Sequence, residues 1–133
     1  MKELVLLDTD VVSFILKKHK IAIQYRALAS DKKLAISYIT VGEMFEGALR
    51  ANWDNLKIAK LTDLLLRYKI FYADWETAKL WGEIRAQRKH QPISANDAWI
   101  AATALRLDIP LMTHNAKDFV GIKDLEVISF QRE

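Results

Sequence analysis

Leu4-Val5-Leu6-Leu7-Asp8 is the stretch on which the fold turns. Four apolar residues in a row, with no polar alternation, fit a strand buried on both faces, as in the middle of a parallel sheet. The acid that ends the run sits where such a strand leaves the core, and a carboxyl there must find partners. Downstream, apolar segments alternate with helical patterns. Val11, Phe14 and Ile15 mark a first helix with Lys17, Lys18 and Lys20 at its wet end, and Ile21, Tyr25, Leu28 and Ala29 a short second one. Leu34 to Ile39 reads as the next strand, with Thr40 capping a helix that runs to about Arg50. Ile58, Leu61, Leu65 and Tyr68 form the inner face of an amphipathic segment spanning 55–68. Ile70 to Tyr72 reads as a third strand, and Asp74 as the cap of a helix that turns Ala78, Trp81 and Ile84 inward. Pro92 breaks the chain. Asn96-Asp97 then opens a helix, 98–107, that is apolar nearly all round and therefore central. Pro110 to Thr113 and Glu126 to Phe130 supply the last strands. Strands alternating with helices predict an α/β fold, a single domain over 1–133 in three α/β/α layers around a mainly parallel sheet.

Composition agrees and narrows the chemistry. The chain has 133 residues, 51% of them hydrophobic, which suits one sizeable core. It has no cysteine, so a disulfide framework, a zinc–thiolate site and thiol catalysis are all excluded. The opening apolar run is too short for a signal peptide or a spanning helix, and a soluble cytoplasmic protein without membrane contact is expected. A net charge of +3 is a weak pointer to a polyanionic partner.

Of the seventeen acids, four fall where this architecture gathers them. Asp8 ends the first strand, Glu43 lies in the first turn of the helix after the second strand, and Asp118 follows the strand ending at Thr113. Asp97 opens the central helix. Ligands of open parallel sheets bind outside the carboxyl ends of the strands. Carboxylates gathered there repel one another unless a cation sits among them. No His or Cys stands in a ligand pattern, so the donors are hard oxygens, which favours Mg²⁺ or Mn²⁺ over zinc. Hydrolysis of a phosphodiester is the reaction that fits best. Each acid also has a structural reading. Thr40-Val41-Gly42-Glu43 has the form of a capping box, Asp97 suits a helix dipole, and Asp118 suits a turn. Their joint placement favours the functional reading.

Leu6-Leu7-Asp8-Thr9-Asp10, Ile39-Thr40-Val41-Gly42-Glu43, Asn96-Asp97-Ala98-Trp99-Ile100-Ala101-Ala102-Thr103-Ala104 and Leu111-Met112-Thr113-His114-Asn115-Ala116-Lys117-Asp118-Phe119 resemble, in order, the four acidic motifs of PIN-domain nucleases. The resemblance is strongest to the VapC toxins of bacterial toxin–antitoxin pairs. It implies that Asp8, Glu43, Asp97 and Asp118 are the catalytic, metal-binding acids, and that Thr9, Thr113 and Asn115 support them. It further implies ribonuclease activity on an RNA substrate, a homodimer and a cognate VapB-like antitoxin whose tail blocks the acidic groove. Asp10 stands where the family often has Asn, and a helix-cap role is expected for it. Arg85, Arg88, Lys89 and His90 are candidates for gripping the RNA backbone, although a solvated helix end explains them equally well. His114 is expected to turn away from the acids, and the four tryptophans to serve the core or a dimer interface. Two alternatives remain. One is a haloacid-dehalogenase-type phosphatase, with Asp8 as nucleophile and Asp10 as general acid. The other is a PIN-like module that binds without cutting.

Overall fold

The computed structural model describes residues 2–130. Five strands, β1 (Glu3–Leu7), β2 (Lys32–Ser37), β3 (Lys69–Phe71), β4 (Leu111–Met112) and β5 (Val127–Ile128), form one sheet in the order β3-β2-β1-β4-β5. Every pairing is parallel. Six helices cover it: α1 (Thr9–Leu16), α2 (Ile21–Leu28), α3 (Tyr38–Arg50), α4 (Asn55–Leu65), α5 (Trp75–Gln87) and α6 (Ala95–Leu107), with a 3-10 turn at Ala116–Phe119.

The unalternating run of β1 has a direct explanation. Val5 and Leu7 enter a core built with α1 to α4, while Leu6, on the opposite face, enters a second core under α5 and α6. Both faces of the central strand are dry, which gives the expected three layers. Helix α6 is buried along most of its length because small residues, Ala98, Ala101, Ala102 and Ala104, let it lie close against its neighbours. Enlarging one of them must push those neighbours apart. Ala101→Leu is expected to cost about 1–3 kcal/mol, seen as a lower urea midpoint with an unchanged slope.

Chain order places the functional edge. The strands run outward from β1 through β2 to β3, then return to the other side of β1 as β4 and β5. The switch point therefore lies between β1 and β4, and the crevice outside their carboxyl ends is where such a sheet binds ligands.

Several boundaries differ from the sequence reading. β2 ends at Ser37, not Ile39, because the Ser37 hydroxyl caps α3 by accepting from Thr40 N at 3.3 Å. Tyr38 and Ile39 thus belong to the helix. β3 stops at Phe71, and β4 and β5 have two residues each where longer strands were expected. The inner face of α5 is carried by Thr77 and Ile84, and Ala78 is exposed. Thr77 can point inward because its hydroxyl is satisfied within the Asp74 capping box. Leu28 is likewise exposed, and Ala22 with Tyr25 takes the inner face of α2. No helix among the described residues is long and apolar enough to cross a membrane.

Candidate metal centre at the carboxyl edge of the sheet

Asp8 leaves β1 and immediately N-caps α1, so one residue does two structural jobs. Its Oδ1 accepts from Thr9 N at 2.8 Å and its Oδ2 from the Thr113 hydroxyl at 2.7 Å. Its own N–H donates to Met112 O at 2.8 Å, pinning it at the end of β4. The residue is only 5% exposed. Burial, joined by the charge of Asp10 and more weakly of Asp97, pushes its carboxyl up to about 7, against the lowering effect of the Thr113 and Thr9 hydrogen bonds.

Glu43 lies in the second turn of α3, one turn further on than the sequence reading placed it, and makes no capping box with Thr40. Instead Oε1 accepts from the Thr9 hydroxyl at 2.7 Å, itself 3.0 Å from the Thr40 hydroxyl, and Oε2 accepts from Asn96 Nδ2 at 3.4 Å. The carboxylate is aimed across to α1 and α6, away from its own backbone. Asp97 sits in the first turn of α6. That helix begins at Ala95, with Ser94 as its cap accepting from Asp97 N at 3.1 Å. Burial raises the Asp97 carboxyl, the charges of Asp118 and Glu43 raise it further, and a hydrogen bond with Ser94 opposes them. Asp118 lies on the exposed 3-10 turn after β4, its N–H donating to Asn115 O at 3.0 Å.

Asp10, expected as a helix cap, lies in the first turn of α1 behind Asp8, which is the cap. Asp10 Oδ1 accepts from Val11 N at 2.7 Å, while Oδ2 accepts from His114 N at 3.0 Å and Asn115 Nδ2 at 3.1 Å. It thereby ties α1 to the segment leading to Asp118. Burial raises its carboxyl, and the His114 and Val11 backbone donors oppose the rise. The second carboxylate of the Asp-Thr-Asp run thus organises the fourth motif, a link across more than a hundred residues that no local pattern could reveal. Thr113 completes the network: its buried hydroxyl donates to Asp8 and accepts from Asn115 N at 3.0 Å. His114 turns away, as expected, with Nδ1 2.6 Å from the Tyr25 hydroxyl and its ring packed edge-on to Phe14.

The structure therefore brings Asp8, Glu43, Asp97 and Asp118 to one edge, with Thr9, Thr113 and Asn115 hydrogen-bonded around them. Asn96 also belongs to this network, within a quoted motif that had suggested no role for it. Among the described residues, no Lys or Arg forms an ion pair with any of these acids or with Asp10. Nor do three of the carboxylates already stand as a group able to hold a metal ion. What unites them is mutual electrostatics: Asp8 feels Asp10 and Asp97, and Asp97 feels Asp118 and Glu43. Carboxylates crowded and partly buried without a cation are the donor set a hard divalent ion fits, since its charge relieves both desolvation and repulsion. A cleft of about 210 Å³ opens between Asp97 and Asp118, bordered by Ser94, Arg88 and Lys117.

The basic residues do not form one free cluster. Arg85 lies 5.4 Å over the Trp81 ring. Arg88 is engaged with backbone carbonyls on two segments. Lys89 and His90 are exposed. Trp81 stacks on Trp99 at 5.0 Å and donates Nε1–H to Ala95 O, so this pair braces the start of α6. Trp53 packs against the α1–α4 core, and Trp75 is exposed.

Comparison with known proteins agrees with this fold. A family profile described as PIN domain matches residues 5–125. The chain is similar to Ribonuclease VapC1 of Haemophilus influenzae (strain R2866), 32% identical over 125 residues, covering 91% of this chain and 93% of that protein. Among solved structures, it resembles VapBC2 from Rickettsia felis bound to a DNA fragment from their promoter. The TM-score is 0.83 and the identity 25%, covering 96% of this chain and 99% of the other. A toxin–antitoxin complex from Klebsiella pneumoniae matches with a TM-score of 0.77 and 27% identity, covering 96% and 99%.

Proposed function

Because the chain belongs to the PIN-domain family, we propose that it is a metal-dependent endoribonuclease of the VapC toxin type, held inactive by a cognate VapB-like antitoxin. The observation that carries the catalytic reading is Asp8, a buried carboxyl raised to about 7 by burial and by neighbouring acids, at the switch point of a parallel sheet. We assign Asp8, Glu43, Asp97 and Asp118 as the acids that hold the ion, Mg²⁺ or Mn²⁺, in a single domain over 1–133 that works as a homodimer in the cytoplasm. An ion bound there supplies charge stabilisation at a phosphoryl oxygen and activation of the attacking water.

The chain's own residues supply the rest. Thr113 and the Thr9 amide fix both oxygens of Asp8. Thr9 and Asn96 orient Glu43 from two sides. Asp10 and Asn115 hold the segment that leads to Asp118. RNA is the substrate, and the antitoxin acts by covering the acids. The phosphatase alternative needs Asp10 as a mobile general acid. Here burial raises its carboxyl, but its two oxygens accept three donors on α1 and the 114–115 segment, which fix the side chain in place.

Asp97→Asn removes a ligand from the centre while sparing the Ser94 cap, which uses the Asp97 backbone N–H. Loss of an ion's transition-state stabilisation, several kcal/mol, corresponds to ~10³-fold or more in rate. RNA cleavage should fall by at least that factor with thermal stability retained, and EDTA should do the same to the wild type. Persistent cleavage by Asp97→Asn in excess chelator would sink the assignment.

A further inference from the structure

Arg88 ends α5 at its C-cap, and its side chain reaches out of that helix to two other segments. Nε donates to Gln91 O at 2.8 Å, Nη2 to Asp118 O at 3.0 Å, and Nη1 to Val120 O. All three acceptors are backbone carbonyls, and no carboxylate pairs with this guanidinium among the described residues. One acceptor, Gln91, lies on the connection to Ser94, the residue that caps α6 and fixes the Asp97 amide. Of the other two, Asp118 lies within the 3-10 turn and Val120 directly follows it. A planar guanidinium with its donors in a fixed fork therefore spans the two segments that present Asp97 and Asp118 to their common cleft.

The need for such a strut is visible locally. The turn at Ala116–Phe119 is four residues long and mostly exposed. Its anchors are the buried ring of Phe119 and the short-range bond from Asp118 N to Asn115 O. Short exposed turns of this kind open at low cost. The segment from 88 to 94 has no helix or strand of its own. Asp97 itself is held by α6, whose start is capped by Ser94 and braced by Trp81, so what Arg88 adds is a direct tie between the connection into that cap and the turn that carries Asp118.

We propose that Arg88 is a positioning residue of the acidic centre: by bonding the carbonyls of Gln91, Asp118 and Val120 it sets the separation of the Asp97 and Asp118 carboxylates, and with it the affinity for the divalent ion. This rests on the nuclease reading above. It removes Arg88 from the set of RNA-gripping cations, because the face of its guanidinium fork is already turned to protein carbonyls.

The test compares wild type, Arg88→Ala, Arg88→Lys and, as a control, Arg106→Ala. Arg106 lies at the opposite end of α6 from Asp97 and pairs with Asp74 at the start of α5, so its loss removes an α5–α6 contact without touching the 88–94 connection or the turn at Ala116–Phe119. Mn²⁺ affinity is measured by calorimetry, amide exchange is followed over residues 116–121, and kcat and KM are measured on RNA. Residues that orient metal ligands are worth ~10–100-fold in metal affinity or activity. Both Arg88 variants should bind Mn²⁺ that much more weakly, exchange faster over the turn and lose kcat with KM for RNA unchanged. Lysine should fail to rescue, since one ammonium cannot bridge three carbonyls. Arg106→Ala should lose stability but keep its Mn²⁺ affinity. Wild-type Mn²⁺ affinity in Arg88→Ala, or full rescue by Arg88→Lys, would overturn the proposal, the latter by showing that charge alone suffices. A wild type that binds no Mn²⁺ would instead strike down the metal reading of the whole site.

Discussion

Asp8→Asn should abolish RNA cleavage and, in the presence of EDTA at pH 8, make the protein more stable than the wild type. Both effects come from one cause. The carboxyl is carried from 3.8 to about 7 in the fold, chiefly by burial and then by Asp10, so the folded state binds a proton more tightly than the unfolded chain. Stability drawn from that neutral form is fully present below pH 4 and is lost as the pH rises through 7. Above that, ionised Asp8 costs the fold on the order of 4 kcal/mol at most. Asparagine carries no charge; its Oδ1 can still accept from Thr9 N, while its Nδ2–H must donate to the Thr113 oxygen in reversal of the native bond. The stability gap between variant and wild type should be small at pH 4 and open between pH 4 and 7. Saturating Mn²⁺ should close it by stabilising only the wild type. Thermal unfolding at the two pH values, with and without chelator, reads all of this. If Asp8→Asn were less stable than wild type at pH 8 in EDTA, the crowded-carboxylate account of the site would be wrong.

Thr113→Val should lower both stability and activity without touching a metal ligand. The hydroxyl is fully buried, donates to Asp8 Oδ2 at 2.7 Å and accepts from Asn115 N at 3.0 Å. Valine preserves the volume and removes both bonds, leaving a buried carboxylate oxygen and an amide without that partner. The expected cost is about 1–3 kcal/mol in urea unfolding. The Thr113 hydrogen bond also lowers the Asp8 pKa, so its loss must move that pKa upward. The acid limb of the pH–rate profile should shift to higher pH, and the rate at pH 7 should fall ~10–100-fold. Thr113→Ser, which retains the hydroxyl, should restore the profile. A valine variant with an unshifted profile would separate Thr113 from the function of Asp8.

How much of this could be read without the fold depends on how far each signal reaches along the chain. The unbroken run of Leu4 to Leu7 was legible because burial on both faces imposes its own pattern, and the alternation of strands and helices followed from it. Asp8 was legible as the acid that ends a buried strand, whereas Glu43 and Asp97 lie on helices and Asp118 on a turn, where an acid also has an ordinary local role. Glu43 shows where local reading fails. Ser37 and Thr40 can both cap a helix, and the choice was made by β2, whose pairing with β3 runs through Ser37. Once α3 starts there, Glu43 is too far along for a capping box and meets Thr9, 34 residues away in sequence, instead. Asp10 and Arg88 failed in the same way. Each has a plausible local role, as a cap and as a wet helix end. Each takes its real partners from the segment around Asp118, more than a hundred and about thirty residues downstream. Thr77 was missed because a threonine inside a capping box is polar in composition but satisfied in place.

The central claim is that acids gathered at the switch point hold a divalent ion that drives water onto an RNA phosphodiester. It is tested most directly by the ends of the product. Purified protein, stripped with EDTA and resupplied with Mn²⁺ or Mg²⁺, should cut RNA only after the metal returns. The products should carry a 5′-phosphate and a 3′-hydroxyl, and a 2′-deoxy substitution at the cut site should be tolerated. Cleavage that proceeds in chelator and leaves a 2′,3′-cyclic phosphate would contradict the account.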